Sequence, residues 1–131
     1  MNQNLIVEWE NQDEHGPIVT VSGEIDATTA AQLGDALDRM LRPEPDRVLV
    51  DLSEVLFMDA AGVTVLARAN TLAWPHTVFA VIAYGAAARP LQLTGMASTL
   101  VIYPHRAMAL ACTTDALDLC DRVDRGAALG Y

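Results

Sequence analysis

A chain of 131 residues and 14.1 kDa is the size of one domain, long enough to bury a core and too short for two. Its formal net charge of −9 argues against nucleic-acid or anionic-membrane partners, because tracking phosphate needs cations that displace counterions. All eight cations are Arg and none is Lys, which excludes Schiff-base chemistry and a phosphate-loop lysine.

Hydrophobic residues make up 52% of the sequence, yet apolar runs such as 78–83 stop far short of a membrane span. The N-terminus begins Met1-Asn2-Gln3-Asn4 without a basic patch ahead of an apolar stretch, so neither a signal nor a transit peptide is visible and cytoplasmic residence is expected. Cys112 and Cys120 sit eight apart on an expected helix, where about 12 Å of rise separates them. A disulfide bridges at most about 7 Å between Cα atoms, so the pair reads as two small buried hydrophobes in a reducing compartment, with an intermolecular or helix-melting redox switch as the alternative.

In chain order, residues 5–10 alternate Leu5, Val7 and Trp9 on one face, as a half-buried strand does. Turn chemistry follows at 11–17, and 18–22 resumes a β-branched run, so an antiparallel hairpin is expected. Gly23-Glu24-Ile25-Asp26 then hands the chain to a helix with Asp26 as N-cap and Ala30, Leu33, Leu37, Met40 and Leu41 on its inner face. Pro43 and Pro45 end that helix. The run 47–52 has the apolar character of a central parallel strand buried on both faces.

A second helix is expected over 59–74, closed by Pro75, with Val63, Val65, Leu66, Ala67, Ala69 and Leu72 covering most of its circumference. Only Thr64, Arg68 and Thr71 form a polar stripe, and stepping back three residues from Thr64 puts Ala61 on that stripe, facing outward at the helix entrance. Residues 77–83 read as another buried strand, 86–94 as a short helix stopped by Gly95, and 99–103 as a final strand. A last helix spans 106–121 with Ala107, Leu110, Leu117 and Cys120 inward, and 122–131 reads as a loose C-terminal tail. The sum is an α/β domain over 1–121: a mostly parallel sheet of four to five strands with an N-terminal antiparallel hairpin and about four helices.

Catalytic constellations are thin, so no enzyme activity, cofactor or metal site is expected. His15, His76 and His105 fall in turn-like stretches and never at metal-ligand spacing. Asp51 at an expected strand end and Asp59 at a helix start could converge as phosphoryl acceptors do, but the lysine that steadies such a phosphate is missing. Asp59 as N-cap and Asp51 in a strand-end turn need no special assumption.

One segment carries a specific pattern. Val50-Asp51-Leu52-Ser53-Glu54-Val55-Leu56-Phe57-Met58-Asp59-Ala60-Ala61-Gly62 runs from a strand end, through a loop, to a helix N-terminus. It resembles the signature of anti-sigma factor antagonists of the STAS-domain family, where Asp-Leu-Ser-x-Val-x-Phe-Met-Asp precedes Ser-Ser-Gly. Val19-Thr20-Val21-Ser22-Gly23-Glu24-Ile25-Asp26 and Leu91-Gln92-Leu93-Thr94-Gly95-Met96 agree with the same family in order and spacing, so the resemblance spans 5–120.

The resemblance implies a STAS-like domain that binds an anti-sigma factor, itself a serine kinase, and so acts in bacterial transcription regulation. In that family phosphorylation of the second serine of the motif ends binding, by placing about 1.5 to 2 negative charges beside the interface. Here that position is Ala61 and its neighbour is Ala60, so the site lacks a phospho-acceptor and mimics the uncharged, binding-competent form. Gly23, Glu24, Asp26, Asp59, Ala60, Ala61, Gly62 and Thr64 are the implied partner-binding residues, with Ser53 and Thr64 as candidate substitute phosphosites. A second class of role is a small STAS subunit fixed on an ABC-type ATPase in lipid transport. Another STAS-pathway protein as partner, and self-association as a homodimer, stay open.

Overall fold

The computed structural model describes residues 5–12 and 16–111. The first segment folds into the expected hairpin, β1 (Leu5–Gln12) pairing antiparallel with β2 (Gly16–Ile25), but of its expected inner face only Leu5 and Val7 are covered and Trp9 is exposed. The chain then alternates helix and strand through α1 (Ala30–Leu41), β3 (Arg47–Met58), α2 (Ala60–Ala73), β4 (Val78–Ile82), α3 (Ala88–Leu93), a 3-10 turn at Met96–Ser98, β5 (Val101–Tyr103) and α4 (Arg106–Ala111). The five strands lie in sequence order, and every pairing after the hairpin is parallel.

Parallel strands need crossovers, and the three helices that supply them close the main core over one face of the sheet. Leu33, Leu37 and Leu41 of α1 and Val63, Leu66, Ala69 and Ala73 of α2 pack there on Val19, Val21, Val48, Val50 and Leu52. The other face carries a smaller cluster of Ile18, Leu49, Ala80, Ile82 and Tyr103, closed by Ala109 of α4. Residues 47–52 are all buried, because both faces of β3 are covered along that stretch.

Several expectations about local structure are corrected. β3 does not end at 52: it runs to Met58, so Asp51 lies inside the strand and Ser53 is on a strand, not in a loop. The polar Ser53-Glu54 pair hides this in the sequence because β3 bulges there, taking three steps from Asp51 to Glu54 while β2 takes two from Thr20 to Ser22. The backbone amide and Oγ of Ser53 both donate to Asp51 Oδ1, at 2.9 and 2.7 Å, which folds the extra residue back on the strand.

β2 likewise continues through Gly23 and Glu24 to Ile25, and α1 starts at Ala30, not directly after Asp26. Asp26 instead organises the turn before the helix. On α2, Leu72 is exposed and not part of the buried face. On α4, Ala107 is exposed and Ala109 points inward, one position out of phase with the expected face. Leu117, Cys112, Cys120 and the 122–131 segment lie outside the described residues.

Candidate functional site at the α2 entrance

Two chain segments meet at one end of the sheet. The backbone amide of Asp59 donates to the carbonyl of Ile25 at 3.1 Å, tying the last residue of β2 to the residue that starts α2. Asp59 is the helix N-cap foreseen from the sequence: its Oδ1 accepts the Ala61 amide at 2.9 Å, and its carbonyl accepts from Gly62 at 3.1 Å. The last two residues of β3 and the first of α2 therefore stand beside Gly23, Glu24 and Asp26, and six of the expected partner-binding residues share this corner with Ala60 and Ala61.

Glycine is required at two places here. A Cβ on Gly62 would sit 2.5 Å from Met58 Cγ and 2.8 Å from Ile25 Cγ2, so only hydrogen lets the helix entrance press on the ends of β2 and β3. Gly23 has φ +105°, a conformation L side chains rarely adopt, and it lies where the β2–β3 register shifts.

Past Gly23, Asp26 holds the turn into α1. Its Oδ1 accepts from the Thr28 hydroxyl at 2.7 Å and from the amides of Thr28 and Thr29 at 2.9 and 3.1 Å. These donors, the Thr28 hydroxyl foremost, stabilise the carboxylate and hold its pKa below the ordinary 3.8. The buried Thr29 hydroxyl donates to the Glu24 carbonyl at 2.9 Å and accepts the Asp26 amide at 2.9 Å, which locks the β2 end against the turn.

At the helix mouth, Ala60 is exposed, Ala61 half-buried and Gly62 buried, while Thr64, Arg68 and Thr71 form the expected exposed stripe. Thr64 Oγ1 donates to the Ala60 carbonyl at 3.0 Å, one turn back. Ala61 thus presents a methyl at the surface, next to a helix N-terminus whose dipole would tolerate an anion. Ser53 is not part of this corner; it lies five residues back along β3, its hydroxyl committed to Asp51.

Asp51 and Asp59 do not converge. Asp51 pairs with Arg106 instead, Nε to Oδ2 at 3.1 Å, on the face that α4 covers. His76 reaches Glu44 at 3.9 Å from an exposed turn, and His105 packs its ring against Tyr84 at 5.8 Å between centroids; His15 lies outside the described residues. Sequence reasoning missed two residues of the corner, Leu56 and Phe57, both exposed at the end of β3. The signal available was two large apolar residues between Val55 and Met58, one more than strand alternation allows.

Comparison with known proteins agrees with this architecture. A family model described as Mlab, STAS domain, matches residues 10–102. The anti-sigma-F factor antagonist RsfB of Mycobacterium tuberculosis is 31% identical over 87 residues, covering 66% of this chain and 71% of RsfB. The crystal structure of an anti-sigma factor antagonist from Mycobacterium paratuberculosis superposes with a TM-score of 0.78 at 35% identity, over 82% of this chain and 92% of that one. The unphosphorylated form of the antagonist SpoIIAA shares the fold, with a TM-score of 0.65 at 12% identity over 80% of this chain and 93% of SpoIIAA. The chain belongs to the STAS-domain family, and its relatives include anti-sigma factor antagonists. Among the described residues no helix is long and apolar enough to cross a membrane.

Proposed function

We propose that this chain is an anti-sigma factor antagonist-like binding protein, not an enzyme, which engages an anti-sigma factor that is also a serine kinase through the α2 entrance and the adjoining end of β2. The observation that carries the reading is Ala61: a half-exposed, uncharged side chain at the helix mouth, with no hydroxyl on it or on Ala60. A partner that docks there meets a surface a kinase cannot charge at that position. Binding is then constitutive, and its level follows the amounts of the two proteins.

The test is purification of the tagged chain from its native cell with mass spectrometry of what it retains, followed by reconstitution of Ala61→Ser with that kinase and ATP. Recovery of a small ATP-binding kinase, and phosphate on the introduced hydroxyl, would support the reading. A variant that binds the kinase yet stays unmodified would mean that the site is misassigned.

A second reading, a small STAS subunit held on an ABC-type ATPase in lipid transport, draws on the same observation, since a subunit fixed in place has no use for an acceptor hydroxyl. Retention of an ABC ATPase in place of a kinase would favour it.

A further inference from the structure

The end of β3 presents two large apolar side chains to solvent. Leu56 is 75% exposed and Phe57 49%. In a regular strand Val55 and Phe57 would share a face, yet Val55 and Met58 are the buried pair. The second bulge explains this: β3 takes two steps from Val55 to Phe57 while β2 takes one from Gly23 to Glu24, so both residues between the buried pair turn outward. The bulge keeps Phe57 out beside Leu56 and turns Met58 in, so two adjacent large apolar side chains are left in solvent at the strand end.

Their surroundings are acidic. Phe57 pairs in register with Glu24, Ser22 with Glu54, and Asp26 and Asp59 follow on either side. Arg106, which reaches β2 and β3 at Thr20 and Asp51, is engaged there by Asp51 and Glu10. Between residues 16 and 67 the cations are Arg39, Arg42 and Arg47, all where α1 ends and β3 begins. That is the opposite end of the strand, roughly 30 Å from Leu56 at ordinary strand rise. A second copy would set these carboxylates against themselves, and phosphate-bearing surfaces are repelled in the same way. Leu72 is also exposed, but at the far end of α2, where Arg42 and Arg68 offset Asp38 and Glu44 and no net acidic field exists.

We propose that Leu56 and Phe57 are the apolar anchor of the docking face, and that they seat in a hydrophobic pocket of a partner protein whose rim carries arginine or lysine opposite Glu24, Asp26 and Glu54. The inference rests on the functional reading above and adds the source of its affinity. A large aliphatic and an aromatic side chain at the centre of a contact supply most of the binding, while the surrounding charges steer the approach.

The experiment measures binding of the purified anti-sigma factor kinase of the same cell to the wild-type chain, to Leu56→Ala/Phe57→Ala and to Glu24→Gln/Glu54→Gln by calorimetry at low and high salt, with thermal melts as the folding control. Both pairs are surface changes, so the melting curves are expected to stay close to wild type. Loss of about thirtyfold or more in affinity for the alanine pair, and a flattened salt dependence for the glutamine pair, would support the inference. Wild-type binding that the alanine pair leaves within about threefold would overturn it while the functional reading stands. Absence of any wild-type binding overturns the functional reading and the inference with it. A wild-type dimer in sedimentation that the alanine pair dissociates would assign the surface to a second copy and overturn the inference alone.

Discussion

Arg106 and Asp51, 55 positions apart in the chain, form an ion pair across the sheet: the guanidinium Nε donates to Asp51 Oδ2 at 3.1 Å. The same guanidinium reaches Thr20 Oγ1 at 3.2 Å on β2 and Glu10 Oε2 at 3.4 Å on β1. One side chain at the head of α4 therefore ties that helix to three strands. Asp51 is only 5% exposed, and its carboxylate oxygens are satisfied by this partner and by the two bonds from Ser53.

Replacing Arg106 with Met is expected to destabilise the domain by about 1–3 kcal/mol, since it leaves a buried carboxylate short of its cation. The Arg106 side chain is 38% exposed, which keeps the cost toward the lower end through solvent screening. Urea unfolding checks this, and Asp51→Asn in the same background is expected to recover part of the loss. A variant as stable as wild type would show that the cluster holds nothing.

Gly62→Ala is expected to cost about 1–3 kcal/mol through overpacking, because the new methyl meets Met58 and Ile25 well inside van der Waals contact. Ala61→Gly, one residue earlier and half-exposed, is expected to cost about 1 kcal/mol or less, from backbone entropy alone. Thermal or urea unfolding of the two variants side by side reads the difference. Equal costs would mean that the helix mouth does not press on β2 and β3 as described.

The Asp26 carboxylate is stabilised by its threonine donors, so its pKa in the folded chain lies below the ordinary 3.8. A carboxylate lowered in this way favours the folded state at every pH above the unfolded value, and that contribution is lost as pH falls through the lower folded value. Carboxyl carbon shifts followed by NMR from pH 6 downward are expected to give a midpoint for Asp26 below the ordinary 3.8. Thr28→Ala, which removes the foremost donor and keeps the two backbone amides, is expected to raise that midpoint part of the way toward 3.8.

The hairpin pairing, the three crossover helices and the inner face of α1 were legible from periodicity, whereas α2, apolar around most of its circumference, left Leu72 on the wrong face. The central strand was legible only to Leu52. Beyond it two bulges break the alternation, and a sequence that reads as loop is a strand paired with β2 to its end. Bulges arise from pairing between segments some thirty residues apart, which local periodicity does not contain. Asp26 misled in a related way: a strong capping residue marks the start of a turn as readily as the start of a helix, and here the Asp26 and Thr29 bonds insert one before Ala30. The Asp59 cap was within reach of the sequence, and spacing along the helix put Ala61 on the polar stripe, where it is half-buried and not fully outward. The exposure of Leu56 and Phe57 was not, since it depends on where the second bulge falls.

The account depends most on the α2 mouth being a docking face whose affinity needs an uncharged residue 61. The direct measurement is the affinity of the anti-sigma factor kinase for wild type, Ala61→Ser and Ala61→Glu without ATP. Wild type and the serine variant are expected to bind alike, and the glutamate variant at least about tenfold more weakly, since a carboxylate carried into the contact is bulkier than the methyl and loses its hydration on docking. Tight binding of all three would contradict the account and move the docking face elsewhere on the domain.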